Sequence, residues 1–214
     1  MSGALTIASV NLNGLRSKRD EVAACLFESG IDLLCLQETK LDSKVSELDI
    51  EIPGYSLFRK DRTANGGGVG IVSSLNLRPR EVGLRVAGLE AVAVEVEHDG
   101  GHLTVVSIYR PPGFTAEQSH SWVEALTDFL ASLDSGRGPI MLCGDTNLCL
   151  NSNESLELVN TLDGYDFRIL NDAHVATHGK RCLDWVCISG RAASIAPLQV
   201  LPPLEKRSDG HCLM

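Results

Sequence analysis

An apolar run at residues 140–143 is followed by a carboxylate and an amide that are spaced two residues apart. Gly144 ends the run, and Asp145 and Asn147 come after it. Because side chains alternate faces along a strand, these two groups would point the same way just past the end of a buried strand. A carboxylate beside an amide can hold an attacking water or an oxyanion. The same pair can also form a plain Asx turn after a core strand. The choice between the two depends on whether other segments of the chain carry matching polar groups that could lie beside this pair.

The same pattern, an apolar run followed by a polar side chain, recurs along the chain. Binding and catalytic groups are often carried at the ends of rigid elements, so the recurrence predicts one polar rim with the groups of a metal-assisted hydrolase. The residues at these strand ends are Asn11, Glu38, Tyr109, Asp145 with Asn147, Asp184, and Asp209 with His211.

Hydrophobic periodicity predicts the elements that must position these groups. Helices are predicted at residues 17–27, 116–133 and 155–162. Strands are predicted at 6–10, 31–36, 53–58, 69–72, 140–143, 167–170, 182–188 and 194–201, with a hairpin of 91–97 and 103–109. The order predicts an α+β chain with helices outside two mainly antiparallel sheets, or a two-layered α+β domain. Gly66, Gly67 and Gly68 lead into a strand, which favours close backbone packing or a mobile loop over a phosphate cradle.

Composition limits the class of protein. The 214 residues contain no linker or repeat and no apolar run of the roughly 20 residues that a membrane helix needs. The seven cysteines are scattered without a Cys-x-x-Cys pair, which predicts reduced thiols and a nuclear or cytoplasmic location. The formal net charge of −9 argues against holding nucleic acid by bulk charge but allows a local basic face.

The ordered set of polar segments resembles the endonuclease/exonuclease/phosphatase superfamily. The resemblance spans almost the whole chain, and the pairing of Gln-Glu-Thr with Gly-Asp-x-Asn is specific. The matching segments are Val10-Asn11-Leu12-Asn13-Gly14-Leu15, Leu36-Gln37-Glu38-Thr39-Lys40, Tyr109, Gly144-Asp145-Thr146-Asn147, Leu183-Asp184-Trp185, and Ser208-Asp209 followed by a histidine.

Within that superfamily, the chain is most similar to the endonuclease domain of LINE-type (non-LTR) retrotransposons. The segments that carry this similarity are Gly66-Gly67-Gly68-Val69-Gly70-Ile71, Tyr109-Arg110-Pro111-Pro112-Gly113, and Thr177-His178 shortly before Asp184. The resemblance implies a DNase I-like, four-layered α/β/β/α sandwich. It also implies that residues 1–214 are a single domain excised from a larger polyprotein that contains a reverse transcriptase.

The activity implied by this resemblance is a Mg²⁺-dependent nick in target DNA, with Mn²⁺ as a substitute metal. The nick leaves a 3′-hydroxyl that primes reverse transcription. The implied partners are DNA and the reverse transcriptase domain but no membrane, and the isolated domain would be a monomer. Two alternatives stay open: an abasic-site repair endonuclease or another phosphodiesterase of this fold, and a DNA-binding module with a decayed site.

The resemblance also implies roles for individual residues. Glu38 would hold the metal, with Asp209 and Asn13 as further ligands, because hard carboxylate and amide oxygens suit Mg²⁺. Asn11 would position the metal or a phosphate, and Asn147 and Tyr109 would donate to phosphate oxygens. Either Asp145 or His211 would be the base, with Asp184 fixing the tautomer of His211. The residues expected to contact DNA are Arg16, Arg110, His178 and Lys180.

One departure from the superfamily pattern lies near the last residue of the chain. Relatives read Ser-Asp-His without a break, whereas Gly210 separates Asp209 from His211 here. Because glycine tolerates unusual backbone angles, we expect the turn to absorb the extra residue and His211 to reach the site.

Overall fold

The structure is a computed structural model of the chain, and it describes residues 4–84, 86–98, 101–133, 137–190, 195–204 and 210–214. Two β-sheets pack face to face in it. Asp209 lies outside the described residues, so its predicted role as a metal ligand stays a prediction.

The small sheet has four strands in the order β1-β2-β4-β3. β1 and β2 are parallel, and the other two pairs are antiparallel. The strands are β1 (Ile7–Asn11), β2 (Leu33–Gln37), β3 (Tyr55–Lys60) and β4 (Val69–Ser74).

The large sheet has six strands in the order β5-β6-β7-β8-β10-β9. Only β7 and β8 are parallel among its pairs in the described residues. The strands are β5 (Arg80–Val82), β6 (Glu90–His98), β7 (Gly101–Tyr109), β8 (Ile140–Asp145), β9 (Phe167–Ile169) and β10 (Asp184–Ser189). The predicted hairpin of β6 and β7 is confirmed.

Helices cover the outer face of each sheet. The helices are α1 (Arg19–Ser29), α2 (Glu47–Ile50), α3 (Ala116–Ser132) and α4 (Leu156–Gly164). One core cluster joins α1 and α2 to the small sheet, a second joins α3 and α4 to the large sheet, and a third lies between the sheets. The predicted four-layered α/β/β/α sandwich of mainly antiparallel sheets is confirmed.

The strand predicted at residues 194–201 is wrong over the part that the structure describes. Residues 195–200 have no strand pairing, and only Leu201 forms an isolated bridge, with Leu213. Pro197 interrupts the run, and a proline cannot donate to a ladder of backbone hydrogen bonds. Within the described part of the chain, no helix combines the length and apolar character that crossing a membrane requires.

Candidate active site

Three adjacent strands of the large sheet carry polar side chains at matched positions. Tyr109 on β7 is paired with Asp145 on β8, and Asp145 is paired with Asp184 on β10. Asp145 is the last residue of β8, whereas the sequence placed it just after the strand. All three side chains are in phase with the core between the sheets, so they point toward the small sheet. Strand register alone therefore brings these three groups to one place.

The small sheet supplies two further groups at the same edge. Asn11 is the last residue of β1, and Glu38 directly follows β2. The amide of Asn11 donates to Glu38 Oε1 at 3.0 Å and to Asp145 Oδ2 at 2.9 Å. The hydroxyl of Tyr109 donates to the same Glu38 Oε1 at 3.0 Å. Asn11 thus joins the carboxylate of one sheet to that of the other.

His211 completes the group. Its Nδ1 lies 2.9 Å from Asp184 Oδ2, and its Nε2 lies 3.8 Å from Asp145 Oδ2. Each of these three residues offers a possible ligand atom, and those atoms lie within 4.8 Å of one another. His211 thus lies where the sequence placed it, while Asp209, on the other side of Gly210, is outside the described residues.

Burial and neighbouring charges together set the protonation of these groups. Burial and then the charge of Asp184 raise the pKa of Asp145 to about 7, against the opposing effect of His211. Burial lowers the pKa of His211, but its hydrogen bond to Asp184 and the surrounding carboxylates outweigh burial, so the net shift is upward. Burial and the charge of Glu38 raise the pKa of Tyr109, which therefore keeps its proton and stays a donor.

The backbone around the site is strained. Four non-glycine residues here have φ near +50°, a region that costs energy for residues with a side chain: Asn13 (53°), Glu38 (49°), Lys40 (51°) and Asn147 (51°). Such strain persists where the surrounding structure holds it, and it concentrates at functional sites.

Asn147 supports Asp145 from the loop side. Its backbone N–H donates to Asp145 Oδ1 at 2.9 Å, which closes an Asx turn. Its side-chain amide donates to Arg110 O at 2.9 Å and to Asp145 Oδ2 at 3.3 Å. In this structure, the donors of Asn147 therefore brace the carboxylate rather than stand open to a phosphate.

Asn13 lies beside Glu38 but has a cationic partner. The Lys40 ammonium donates to Asn13 Oδ1 and lies 3.9 Å from Glu38 Oε2. Both Asn13 and Glu38 line a cleft of about 160 Å³ that also reaches Asn11 and His211. The structure therefore brings the described members of the predicted metal set to one cleft.

The residues predicted to contact DNA divide into three groups. Arg16 and Lys180 are exposed, and Arg16 lies 3.9 Å from Asp49. His178 stacks on His211, with ring centroids 4.0 Å apart. Arg110 does not fit the prediction, because it is buried.

Burial turns Arg110 into a structural residue. Its guanidinium donates to Ser119 Oγ at 2.6 Å and to Thr146 O at 3.4 Å, and it lies over the ring of Phe114. The predicted DNA contact by Arg110 is wrong for this geometry, because the charged group bonds the loop under the site and does not reach the surface.

Gln37 and Thr177 belong to segments that carry the family resemblance, but the sequence alone assigned no role to either side chain. A buried polar network lies between the sheets, in which Gln37 Nε2 donates to Ser107 Oγ at 3.1 Å and to Ser9 Oγ at 3.3 Å. Thr177 Oγ1 accepts the backbone N–H of Asp184 at 3.0 Å. Ser9 and Ser107 look like ordinary strand residues in the sequence, and only the tertiary contacts show what all four side chains support.

The donor atoms at the cleft suit a hard divalent cation. The carboxylate of Glu38 and the amides of Asn11 and Asn13 lie together, and Asp145 and Asp184 add carboxylates nearby. Mg²⁺ takes hard oxygen ligands, typically one or two carboxylates, and keeps several of its waters. Glu38 uses Oε1 for both hydrogen bonds from Asn11 and Tyr109, so its two oxygens are in different environments.

Solved structures with this fold come from several DNA-processing proteins. The AP endonuclease LMAP from Leishmania major superposes with a TM-score of 0.75 at 16% identity, covering 98% of this chain and 86% of that one. The endonuclease domain of TRAS1, a telomere-specific non-LTR retrotransposon, superposes with a TM-score of 0.73 at 15% identity, covering 98% and 97%. At these identities, the similarity concerns the fold.

Sequence comparison extends the similarity beyond the fold. The chain is 25% identical over 167 residues to an exodeoxyribonuclease of Bacillus subtilis (strain 168), an alignment that covers 73% of this chain and 62% of that protein. The chain thus spans less than two thirds of that relative. The model of the Endonuclease/Exonuclease/phosphatase family matches residues 8–209 and so includes nearly every element of the site. The chain therefore belongs to the endonuclease/exonuclease/phosphatase family.

Proposed function

We propose that this chain is a divalent-metal-dependent DNA endonuclease that cuts one strand and leaves a 3′-hydroxyl. The observation that carries the proposal is the contact of Asp145 with both Asn11 and His211. Asn11 links Asp145 to Glu38, and His211 links it to Asp184. A metal-holding side and a proton-transferring side thus meet at one buried carboxylate.

Asp145 is the proposed general base. A base works best when its pKa lies near the working pH, and the pKa of Asp145 is raised to about 7. Its carboxylate would take the proton of a water that attacks the phosphorus. The bond from phosphorus to the water oxygen forms, the bond to the 3′-oxygen breaks, and a proton from solvent completes the 3′-hydroxyl.

His211 is the proposed phosphate contact. Its Nδ1–H donates to Asp184, which leaves the Nε2 edge facing Asp145 and the cleft. The raised pKa of His211 favours the imidazolium, whose charge would offset the negative charge that develops on the phosphate.

Glu38 is the proposed principal metal ligand, and Asn11 and Asn13 line the same cleft. Asp209 is proposed as a further ligand on the family resemblance alone. A bound Mg²⁺ or Mn²⁺ would supply Lewis-acid stabilisation of charge on the phosphate oxygens. Asn11 and Tyr109 hold Glu38 Oε1 by two hydrogen bonds and so fix the carboxylate before a metal arrives.

The finer proposal is that the nick primes reverse transcription in a non-LTR retrotransposon. Support comes from the glycine run, the Tyr-Arg-Pro-Pro-Gly segment and Thr177-His178, and from the fold shared with TRAS1. On this proposal the domain acts on DNA as a monomer inside the cell nucleus or cytoplasm, beside a reverse transcriptase domain. Since the formal charge is −9, we expect its own DNA binding to be weak and salt-sensitive.

The test is relaxation of supercoiled plasmid with Mg²⁺, with Mn²⁺ and with a chelator. Glu38→Gln and Asp145→Asn should abolish nicking, because each removes a carboxylate charge while keeping the side chain's shape. Glu97→Gln is the matched control, since Glu97 is an exposed carboxylate on β6. Nicking by Glu38→Gln at the wild-type rate would refute the assignment.

The chemical end of the product and the choice of substrate test the more specific parts of the proposal. Nicked plasmid should be extended by a DNA polymerase without prior phosphatase treatment, which reports the 3′-hydroxyl. Parallel reactions with intact duplex, abasic duplex and an inositol phosphate separate target nicking from repair or phosphatase activity. DNA binding without turnover under any divalent metal would replace the proposal by a binding module with a decayed site.

A further inference from the structure

A tight turn at residues 177–181 lies directly against the site. The N–H groups of Thr177 and His178 both donate to the carbonyl of Arg181, at 2.9 and 3.0 Å, and the N–H of Arg181 donates back to the carbonyl of His178 at 2.9 Å. The turn is therefore closed by its own backbone, which makes it a firm support for whatever rests on it.

Thr177 ties this turn to two chain segments that carry site residues. Its Oγ1 accepts the backbone N–H groups of Leu183 and Asp184, both at 3.0 Å. Its carbonyl accepts the N–H of Cys212, which follows His211, at 2.8 Å. One buried threonine thus sets the backbone of Asp184 and that of the segment bearing His211 relative to each other.

His178 then covers one face of the His211 ring. The two imidazoles are stacked, with centroids 4.0 Å apart and planes inclined by 29°. The Nδ1 edge of His211 is bonded to Asp184, and its side chain is only 13% exposed. A ring with one edge bonded and one face covered has few other orientations available.

We propose that His178, carried by the Thr177 turn, is a positioning residue for His211 and does not contact DNA. It aims the Nε2 edge of His211 at the cleft in the free protein, so no reorientation is needed when DNA arrives. This role replaces the DNA contact that the sequence suggested for His178, and it rests on the proposed nuclease function.

The kinetic test compares His178→Ala, which removes the stacked ring, with His178→Phe, which keeps a planar ring. Because misplacing a catalytic group by about 1 Å can cost on the order of 100-fold in rate, we expect His178→Ala to lower kcat for plasmid nicking by roughly 10- to 100-fold. KM should stay unchanged, and His178→Phe should recover most of kcat. His174→Ala, an exposed histidine from the same loop region, should behave as wild type.

A second measurement reports the ring itself and needs no turnover. In ¹H–¹³C NMR spectra of the metal-free protein at one fixed pH, the Hε1 signal of His211 is identified by its loss in His211→Asn. His178→Ala should shift this signal, because the ring current of the neighbour disappears, and His178→Phe should shift it less. His178→Gln takes the place of the alanine variant if that variant melts early.

The outcomes distinguish a failure of the positioning role of His178 from a failure of the nuclease function. A raised KM with unchanged kcat in both His178 variants would make His178 a DNA contact and overturn the proposal. An unmoved His211 signal in His178→Ala would overturn it as well. If the wild type cuts no DNA with any divalent metal, the nuclease function fails, while the NMR comparison still decides whether the ring of His178 stacks on His211 in solution, as the positioning role requires.

Discussion

Replacing Tyr109 by phenylalanine removes one hydroxyl from the site and leaves the ring in place. The ring belongs to the core between the sheets, so the fold should tolerate the change. The hydroxyl donates to Glu38 Oε1 at 3.0 Å, and the amide of Asn11 donates to the same oxygen at the same distance. Tyr109→Phe therefore asks what one of two matched donors contributes to holding Glu38.

The expected loss of activity in Tyr109→Phe follows from the type of hydrogen bond that is removed. A bond to a charged partner contributes about 1.5–3 kcal/mol. Because about 1.4 kcal/mol corresponds to a tenfold change in rate, the loss predicts a fall in kcat/KM of about 10- to 100-fold. Since the pKa of Tyr109 is raised, its hydroxyl stays protonated, and the ratio of wild type to variant should be constant across neutral and mildly alkaline pH.

Initial rates of plasmid nicking at several plasmid concentrations and at fixed Mg²⁺ measure this effect. Tyr165→Phe is the matched control, because the hydroxyl of Tyr165 donates to the carbonyl of Thr127 at 3.3 Å, away from the site. It should nick as the wild type does. Wild-type kcat/KM for Tyr109→Phe would show that Asn11 alone is enough to hold Glu38, and a ratio that changes with pH would contradict the raised pKa.

Three further predictions concern the groups around the site. Because the pKa of Asp145 is about 7 against an ordinary 3.8, the folded metal-free protein holds a proton that the unfolded chain has released between those values. The stability that this group gives the wild type is lost as pH rises through that window. The free energy of unfolding of Asp145→Asn should therefore rise relative to that of the wild type by roughly 1.4 kcal/mol per pH unit from about pH 4 to about pH 7, then level off. Chemical denaturation at several pH values measures this difference, and a constant difference would contradict the prediction. Gly67→Ala should destabilise more than Gly30→Ala in urea unfolding. Both glycines have positive φ, but only at Gly67 would a Cβ push the Arg62 side chain away from its hydrogen bonds to Gly66 O and Glu90; equal losses would contradict that contact. Arg110→Met should lower the free energy of unfolding by about 1–3 kcal/mol and leave the salt dependence of DNA binding unchanged, whereas a shallower salt slope would restore the DNA contact.

Much of the site could be predicted because its information is local. A strand end is recognisable from an apolar run, and the side-chain period of two fixes which face each residue takes. That is enough to place Tyr109 and Asp145 at strand ends. Asp184 fell inside a strand predicted at 182–188, and only the antiparallel pairing of β10 with β8 brings it beside Asp145. Placing Glu38 and Asn11 at the same site needed the family resemblance, since no local pattern says that β1 and β2 are neighbours or that they end opposite β8.

Other features depended on contacts that no local pattern contains. Arg110 sits between a strand end and two prolines, a place where a charge is usually solvated, yet Ser119 and the Thr146 carbonyl take its guanidinium inside. The run at residues 195–201 is mostly apolar, which suggested a strand, but its described residues pair with no strand of either sheet. Only Leu201 forms an isolated bridge, with Leu213. In both cases, partners distant in sequence decided the outcome.

Both interpretations of Asp145 and Asn147, a catalytic pair and an Asx turn, apply to the same arrangement. The Asx turn exists, since the Asn147 N–H donates to Asp145 Oδ1 at 2.9 Å. That bond occupies one carboxylate oxygen and fixes the rotamer, which directs Oδ2 toward Asn11 at 2.9 Å and His211 at 3.8 Å. The strain at Asn147, with φ of 51°, is held by the bond from its amide to Arg110 O. The turn is thus the device that aims the carboxylate, and buried Arg110 contributes to the site by supporting that turn rather than by touching DNA.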